Sequence, residues 1–131
     1  MGANLDLLKS VYDGFAKGDV PAVLGAMDEN VDWNEPESLP YKNQSSPQAV
    51  AEGVFGPVMQ DLEGFTVNPE EFVDGGGDVI VAIGRYRGKG AKTGVELDAP
   101  FTHVWRFSGG KISYFRTYTD TKSWLDAIGD G

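Results

Sequence analysis

Apolar and polar positions change their period near the middle of the chain, from spacings of three and four to strict alternation. Over residues 5–16, Leu5, Leu8, Val11, Tyr12 and Phe15 fall on one helical face, which predicts an amphipathic helix. Asn4 is placed to cap it and Gly18 to end it. Asp19 then precedes Val20-Pro21-Ala22, a capping residue ahead of a first-turn proline. A second, short helix follows, burying Val23, Leu24 and Met27 and ending near Asp28. Val31-Asp32-Trp33-Asn34-Glu35 alternates until Pro36 stops it, so it reads as a brief strand with Val31, Trp33 and Glu35 on one face. After a turn-rich loop, Ser46-Pro47 opens a third helix. Val50, Val54, Val58 and Leu62 repeat along it at intervals of four, joined by Phe55 and Met59. Gly53 and Gly56-Pro57 predict a bend in its middle.

From residue 64 onward the period is two. The strands read as 64–74, 78–88, 94–108 and 111–119, with turns at Gly75-Gly76-Gly77, around Gly88 to Gly90, and at Gly109-Gly110. Connections this short make antiparallel hairpins, because parallel neighbours need crossovers of a dozen or more residues. Lys122 to Ile128 adds a short terminal helix. Three helices followed by a meander of long strands is an α+β pattern, with the helices covering one face of a curled, mainly antiparallel sheet and enclosing a cavity against it. No repeat or linker divides the chain, so residues 1–131 read as one domain. Along Pro100–Ser108, Phe101, His103, Trp105 and Phe107 share the inward face, and Thr102, Val104 and Arg106 the outer one.

Composition narrows the function. A chain of 131 residues, 40% hydrophobic, buries a core without staples, and with no cysteine it has neither disulfides nor thiolate metal ligands. A net charge of -9 repels polyanions, which removes nucleic acid from the expected partners; otherwise the acidity serves solubility. No run approaches the roughly 20 apolar residues of a membrane span, and the first residues lack a signal-peptide pattern, so a cytoplasmic protein without a membrane partner is expected. One histidine and scattered carboxylates make no metal-ligand set. The glycines match no phosphate-binding loop, and no serine sits in a GxSxG elbow. Acid/base chemistry without metal or cofactor, or plain binding, remains.

Two side chains carry that chemistry. Glu35 occupies an inward strand position beside Trp33, where burial raises a carboxyl pKa toward the range of a general base or acid near neutral pH. The alternative is a place at the pocket rim, solvated or paired with an arginine. His103, among Phe101, Trp105 and Phe107, is able to donate to a carbonyl or enolate oxygen or to shuttle a proton; the alternative is a satisfied core histidine. If both face one pocket, ionised Glu35 supports the histidine's charge while burial opposes it.

The residues Phe15-Ala16-Lys17-Gly18-Asp19 and Val31-Asp32-Trp33-Asn34-Glu35-Pro36 resemble the front of the NTF2-like superfamily, in its ketosteroid isomerase-like and SnoaL-like (polyketide cyclase-related) branch. His103-Val104-Trp105-Arg106-Phe107, Gly110-Lys111-Ile112 and Tyr118-Thr119-Asp120 resemble its back. The resemblance implies a cone-shaped α+β (cystatin-like) barrel and a homodimer built on the sheet, on which Tyr114 and Tyr118 alternate with Arg116. It further implies an isomerase- or cyclase-type enzyme moving a proton next to a carbonyl, or a non-catalytic binding or dimerisation module of the same fold. Glu35-Pro36 looks like the isomerases' Asp-Pro, and His103 falls where they carry a protonated aspartic acid. Their helix 1 tyrosine aligns with Val11, one residue short of Tyr12, which speaks against steroid isomerisation itself. Thr117 aligns with the inward aspartate of the cyclase and epoxide-hydrolase members, and Asp120 has the wrong parity to replace it. Trp33, Tyr41, Phe55, Val58, Phe101, Trp105 and Thr117 are then expected to bind a small apolar cyclic or aromatic ligand.

Overall fold

The computed structural model describes residues 2–129. Helix α1 (Ala3–Lys17) ends on Gly18, whose φ of 69° lets its N–H reach back to the last carbonyls. It begins at Gly2 without a side-chain cap; Asn4 instead donates to the carbonyl of Gly77, tying the helix to the far hairpin. In α2 (Val20–Gly25) the Asp19 carboxylate does accept from the Ala22 N–H. This helix is shorter than its sequence suggests, because Met27 already belongs to strand β1 (Met27–Asn34). Ser46 caps the third helix through Ala49, and the helix runs in three parts: α3 (Pro47–Val50), a π-helical turn (Ala51–Phe55) and α4 (Gly56–Asp61).

Strands β2 (Leu62–Asp74), β3 (Val79–Gly90), β4 (Glu96–Ser108) and β5 (Lys111–Thr119) follow as an antiparallel meander, and helix α5 (Thr121–Ile128) comes last. Gly88 to Gly90 lie within β3, not in the turn that their sequence suggests; the chain reverses after them. β1 closes the sheet by pairing parallel with β5, giving the order β1-β5-β4-β3-β2. The fold is thus an NTF2-like α+β architecture: helices on one face of a five-stranded, mostly antiparallel curved sheet. Register sets the inward face in rows across it. Trp33, Phe115, Trp105 and Ile80 form one row; Thr117, His103 and Ala82 form the next. All seven side chains are buried, as the alternation along each strand requires.

Candidate functional site

Between the helices and the inward face lies a cavity of about 110 Å³. Phe55 and Val58 line it from the third helix, Phe65 and Val67 from β2, and Trp124 from α5. Its polar walls are Glu35, Tyr86, His103, Thr117 and Thr119. Glu35 and His103 therefore face one cavity.

The position of Glu35 follows from β1. Asn34 pairs with Arg116, so Glu35, one residue on, leaves the strand level with Thr117. Trp33 exchanges both backbone hydrogen bonds with Gln44, and the Glu35 N–H donates to Asn43 Oδ1, which holds the end of the strand against the loop. Half-buried, Glu35 accepts from Trp33 Nε1 at 2.7 Å. Burial pushes its carboxyl from the ordinary 4.5 up to about 7, against the smaller stabilising pull of the Trp33 N–H. No arginine pairs with it among the described residues. Trp33 itself does not line the cavity; it stacks on Phe115 at 3.9 Å, packs edge-on against the lining Phe55, and reaches Glu35 through its indole donor.

His103 is held at both nitrogens. Tyr12 Oη lies 2.6 Å from Nδ1 and Tyr86 Oη 2.6 Å from Nε2. Phe101 stacks beneath the ring at 3.8 Å, a support from behind rather than the cavity lining that its sequence position suggests. Trp105 is likewise behind the wall, and its Nε1 donates to Tyr12 Oη at 2.9 Å. Tyr86 continues the chain to Thr117 Oγ1 at 2.9 Å. Burial alone pushes the imidazole well below 6.5, so the ring is neutral near pH 7. Burial also pushes the Tyr12 and Tyr86 phenols far up, so they remain protonated.

Of the residues expected to line the pocket, Phe55, Val58 and Thr117 do. Tyr41 does not: it donates to Asp61 Oδ2 at 2.8 Å. Asp120 takes no part, because its carboxylate caps α5 through the N–H groups of Lys122 and Ser123. Tyr86 joins the site without having been expected there, although the parity of β3 sets it on the face of Ile80 and Ala82. Tyr12, one residue from the aligned position, reaches His103 from behind the cavity wall. Among the described residues no group of three or more His, Asp or Glu side chains gathers as metal ligands, and no helix is long and apolar enough to cross a membrane.

The family model for the SnoaL-like domain matches residues 8–115, and the chain belongs to that family. No curated protein matches the sequence. An NTF2-like protein from Burkholderia thailandensis is similar over 98% of both chains, at 26% identity and a TM-score of 0.92. Another NTF2-like protein, of unknown function and from Burkholderia pseudomallei, reaches 27% identity and a TM-score of 0.90 over 98% of this chain and 99% of its own. TerC, co-crystallised with polyporic acid, is 25% identical over 96% of this chain and 98% of its own, with a TM-score of 0.86.

Proposed function

We propose that this chain is a cytoplasmic, cofactor-independent enzyme of the isomerase or cyclase kind, moving a proton at the carbon next to a carbonyl of a small apolar ligand. The observation that carries this reading is Glu35, a carboxyl tuned by burial to about pH 7 on the wall of an apolar cavity. A base is most effective when its pKa lies near the working pH, and a carboxylate desolvated in this way is more basic than one in water. On the same cavity, the Tyr86 and Thr117 hydroxyls, with His103 bonded behind Tyr86, are hydrogen-bonding groups of the kind that stabilises a developing enolate oxygen. The cavity suits a single ring rather than a steroid, since larger ligands take pockets of roughly 300 Å³ or more. Co-crystallisation of TerC with polyporic acid supports a small-molecule ligand for the shared fold.

Deuterium uptake at the carbon beside the carbonyl, followed by NMR for a panel of cyclic ketones in D2O, tests the reading. Uptake by the parent protein and a loss of about a hundredfold or more in Glu35→Gln are expected. No uptake across the panel contradicts it.

The second reading is a binding module that stores or senses the ligand. It is favoured by one observation, the engagement of both His103 nitrogens within the protein. It predicts ligand affinity that is unchanged or improved in Glu35→Gln, because the buried charge no longer opposes binding.

A further inference from the structure

Five side chains form one unbranched line of hydrogen bonds from the core to the cavity: Trp105, Tyr12, His103, Tyr86 and Thr117. Between them run four contacts, of 2.9, 2.6, 2.6 and 2.9 Å. With a neutral imidazole the same five side chains hold five polar protons: the Trp105 indole N–H, the hydroxyls of Tyr12, Tyr86 and Thr117, and one on the ring. Five donors over four contacts leave one proton unused, and the direction of the chain decides where it emerges.

Trp105 fixes the first step, because an indole N–H only donates. Tyr12 accepts from it and still holds its own proton. Tyr12 is buried and absent from the cavity wall, and among the described residues its only other hydrogen-bond partner is His103 Nδ1. Were Nδ1 the protonated nitrogen, Tyr12 would accept twice and its proton would be stranded in the core, a state that buried hydroxyls avoid. Tyr12 therefore donates to Nδ1, the ring proton sits on Nε2, and Nε2–H donates to Tyr86. The unused proton then belongs to Tyr86 or Thr117, both on the cavity wall.

We infer that Trp105 and Tyr12 act as positioning residues that lock His103 in its Nε2–H form. The chain consequently presents a hydrogen-bond donor to the cavity and selects ligands with an acceptor oxygen at that end. The titratable groups facing the ring from the packed elements are Tyr12 on α1 and Tyr86 on β3, with Glu35 on the same cavity, level with Thr117. None of the three is cationic. The inference rests on the proposed acid/base reading for its choice of substrate class, a cyclic carbonyl compound whose oxygen meets this donor while its acidic C–H faces Glu35. The tautomer itself does not depend on turnover.

His103 is the only histidine, so the ring of the ligand-free protein labelled with 15N-histidine gives one unambiguous pair of nitrogen signals at pH 7. A proton on Nε2 with a bare Nδ1 is expected. A proton on Nδ1, or on both nitrogens, overturns the inference, since the chain then runs the other way or carries a charge. A second measurement compares cyclohexanone with methylenecyclohexane, which has the same shape without the acceptor. The ratio of their affinities is expected to fall by roughly three- to tenfold in the Tyr86→Phe/Thr117→Val double variant, the worth of one net hydrogen bond. An unchanged ratio in a folded variant also overturns it. Nε2–H without deuterium uptake in any ketone would sink the enzymatic reading and leave the polarised chain standing.

Discussion

A carboxyl whose proton is held more tightly in the folded protein than in the unfolded chain makes stability depend on pH in a fixed direction. Glu35 does this, with an ordinary value of 4.5 raised to about 7. Its stabilising contribution is complete below pH 4.5 and is lost as pH rises through 7. The difference amounts to at most about 3 kcal/mol, and less where water reaches the half-buried side chain. Glu35→Gln, which keeps an acceptor for Trp33 Nε1, is therefore expected to match the parent at pH 4 and to exceed its stability at pH 8. Denaturant unfolding at both values checks this; a variant less stable than the parent at pH 8 would show that the carboxylate is paired rather than desolvated. His103 acts in the opposite sense. Its depressed pKa costs stability as pH falls below the unfolded value of about 6.5, and this slope is expected to survive in Glu35→Gln.

Elements explain how those residues come to face one cavity, and how far the sequence announced it. Alternation along β4 placed His103 inward, and the short run before Pro36 did the same for Glu35, because a period of two leaves one choice of face. The helices were legible as helices, but the π-helical turn was not, since a repeat of four does not distinguish 3.6 residues per turn from a local widening. Its cause is nonetheless present: Pro57 has no N–H and its ring crowds the carbonyl four residues back, and the Gly56 N–H bonds to Ala51, five residues back. The widened turn sets Val54, Phe55 and Val58 on the cavity wall. Non-local facts were beyond reach, among them the parallel pairing of β1 with β5 and the meeting of Tyr12 with His103. Gly90 belongs with these. Read as a turn residue, it is a strand residue whose missing side chain admits the Ala127 carbonyl of α5. A Cβ there would overlap that carbonyl, so Gly90→Ala is expected to displace α5, costing about 1–3 kcal/mol. Because α5 carries Trp124 into the cavity, cyclohexanone affinity is expected to fall as well. Thermal unfolding and ligand titration check the two effects separately, and a variant with unaltered melting would mean that α5 is not docked so closely.

At the scale of the whole molecule, the sheet has a second face that the helices do not cover. Tyr118 is 55% exposed there and Ile83 36%, with Val81 and Val104 partly exposed nearby; Arg116 donates to the Tyr114 hydroxyl and Arg106 lies 5.4 Å from the Tyr114 ring centre. Tyrosine and arginine are enriched where protein surfaces meet. Five strands about 4.8 Å apart and some ten residues long offer roughly 800 Å², about what one partner of a standard interface buries. We propose that two copies associate through this face, leaving each cavity on the far side of its own sheet. The charge of -9 on each protomer opposes the association at long range, while the attraction comes from apolar and aromatic contact. Added salt is therefore expected to tighten the dimer, by shortening the reach of the repulsion, whereas an interface held by ion pairs would loosen. Light scattering at about 10 μM should give twice the mass of the chain, and Tyr118→Asp should return it to the monomer by burying an unpaired charge at the contact. Since Tyr118 and Thr117 point to opposite faces of β5, cyclohexanone binding should be unchanged in that variant. A monomeric mass for the parent at both low and high salt would leave the tyrosines as cover for the sheet and nothing more.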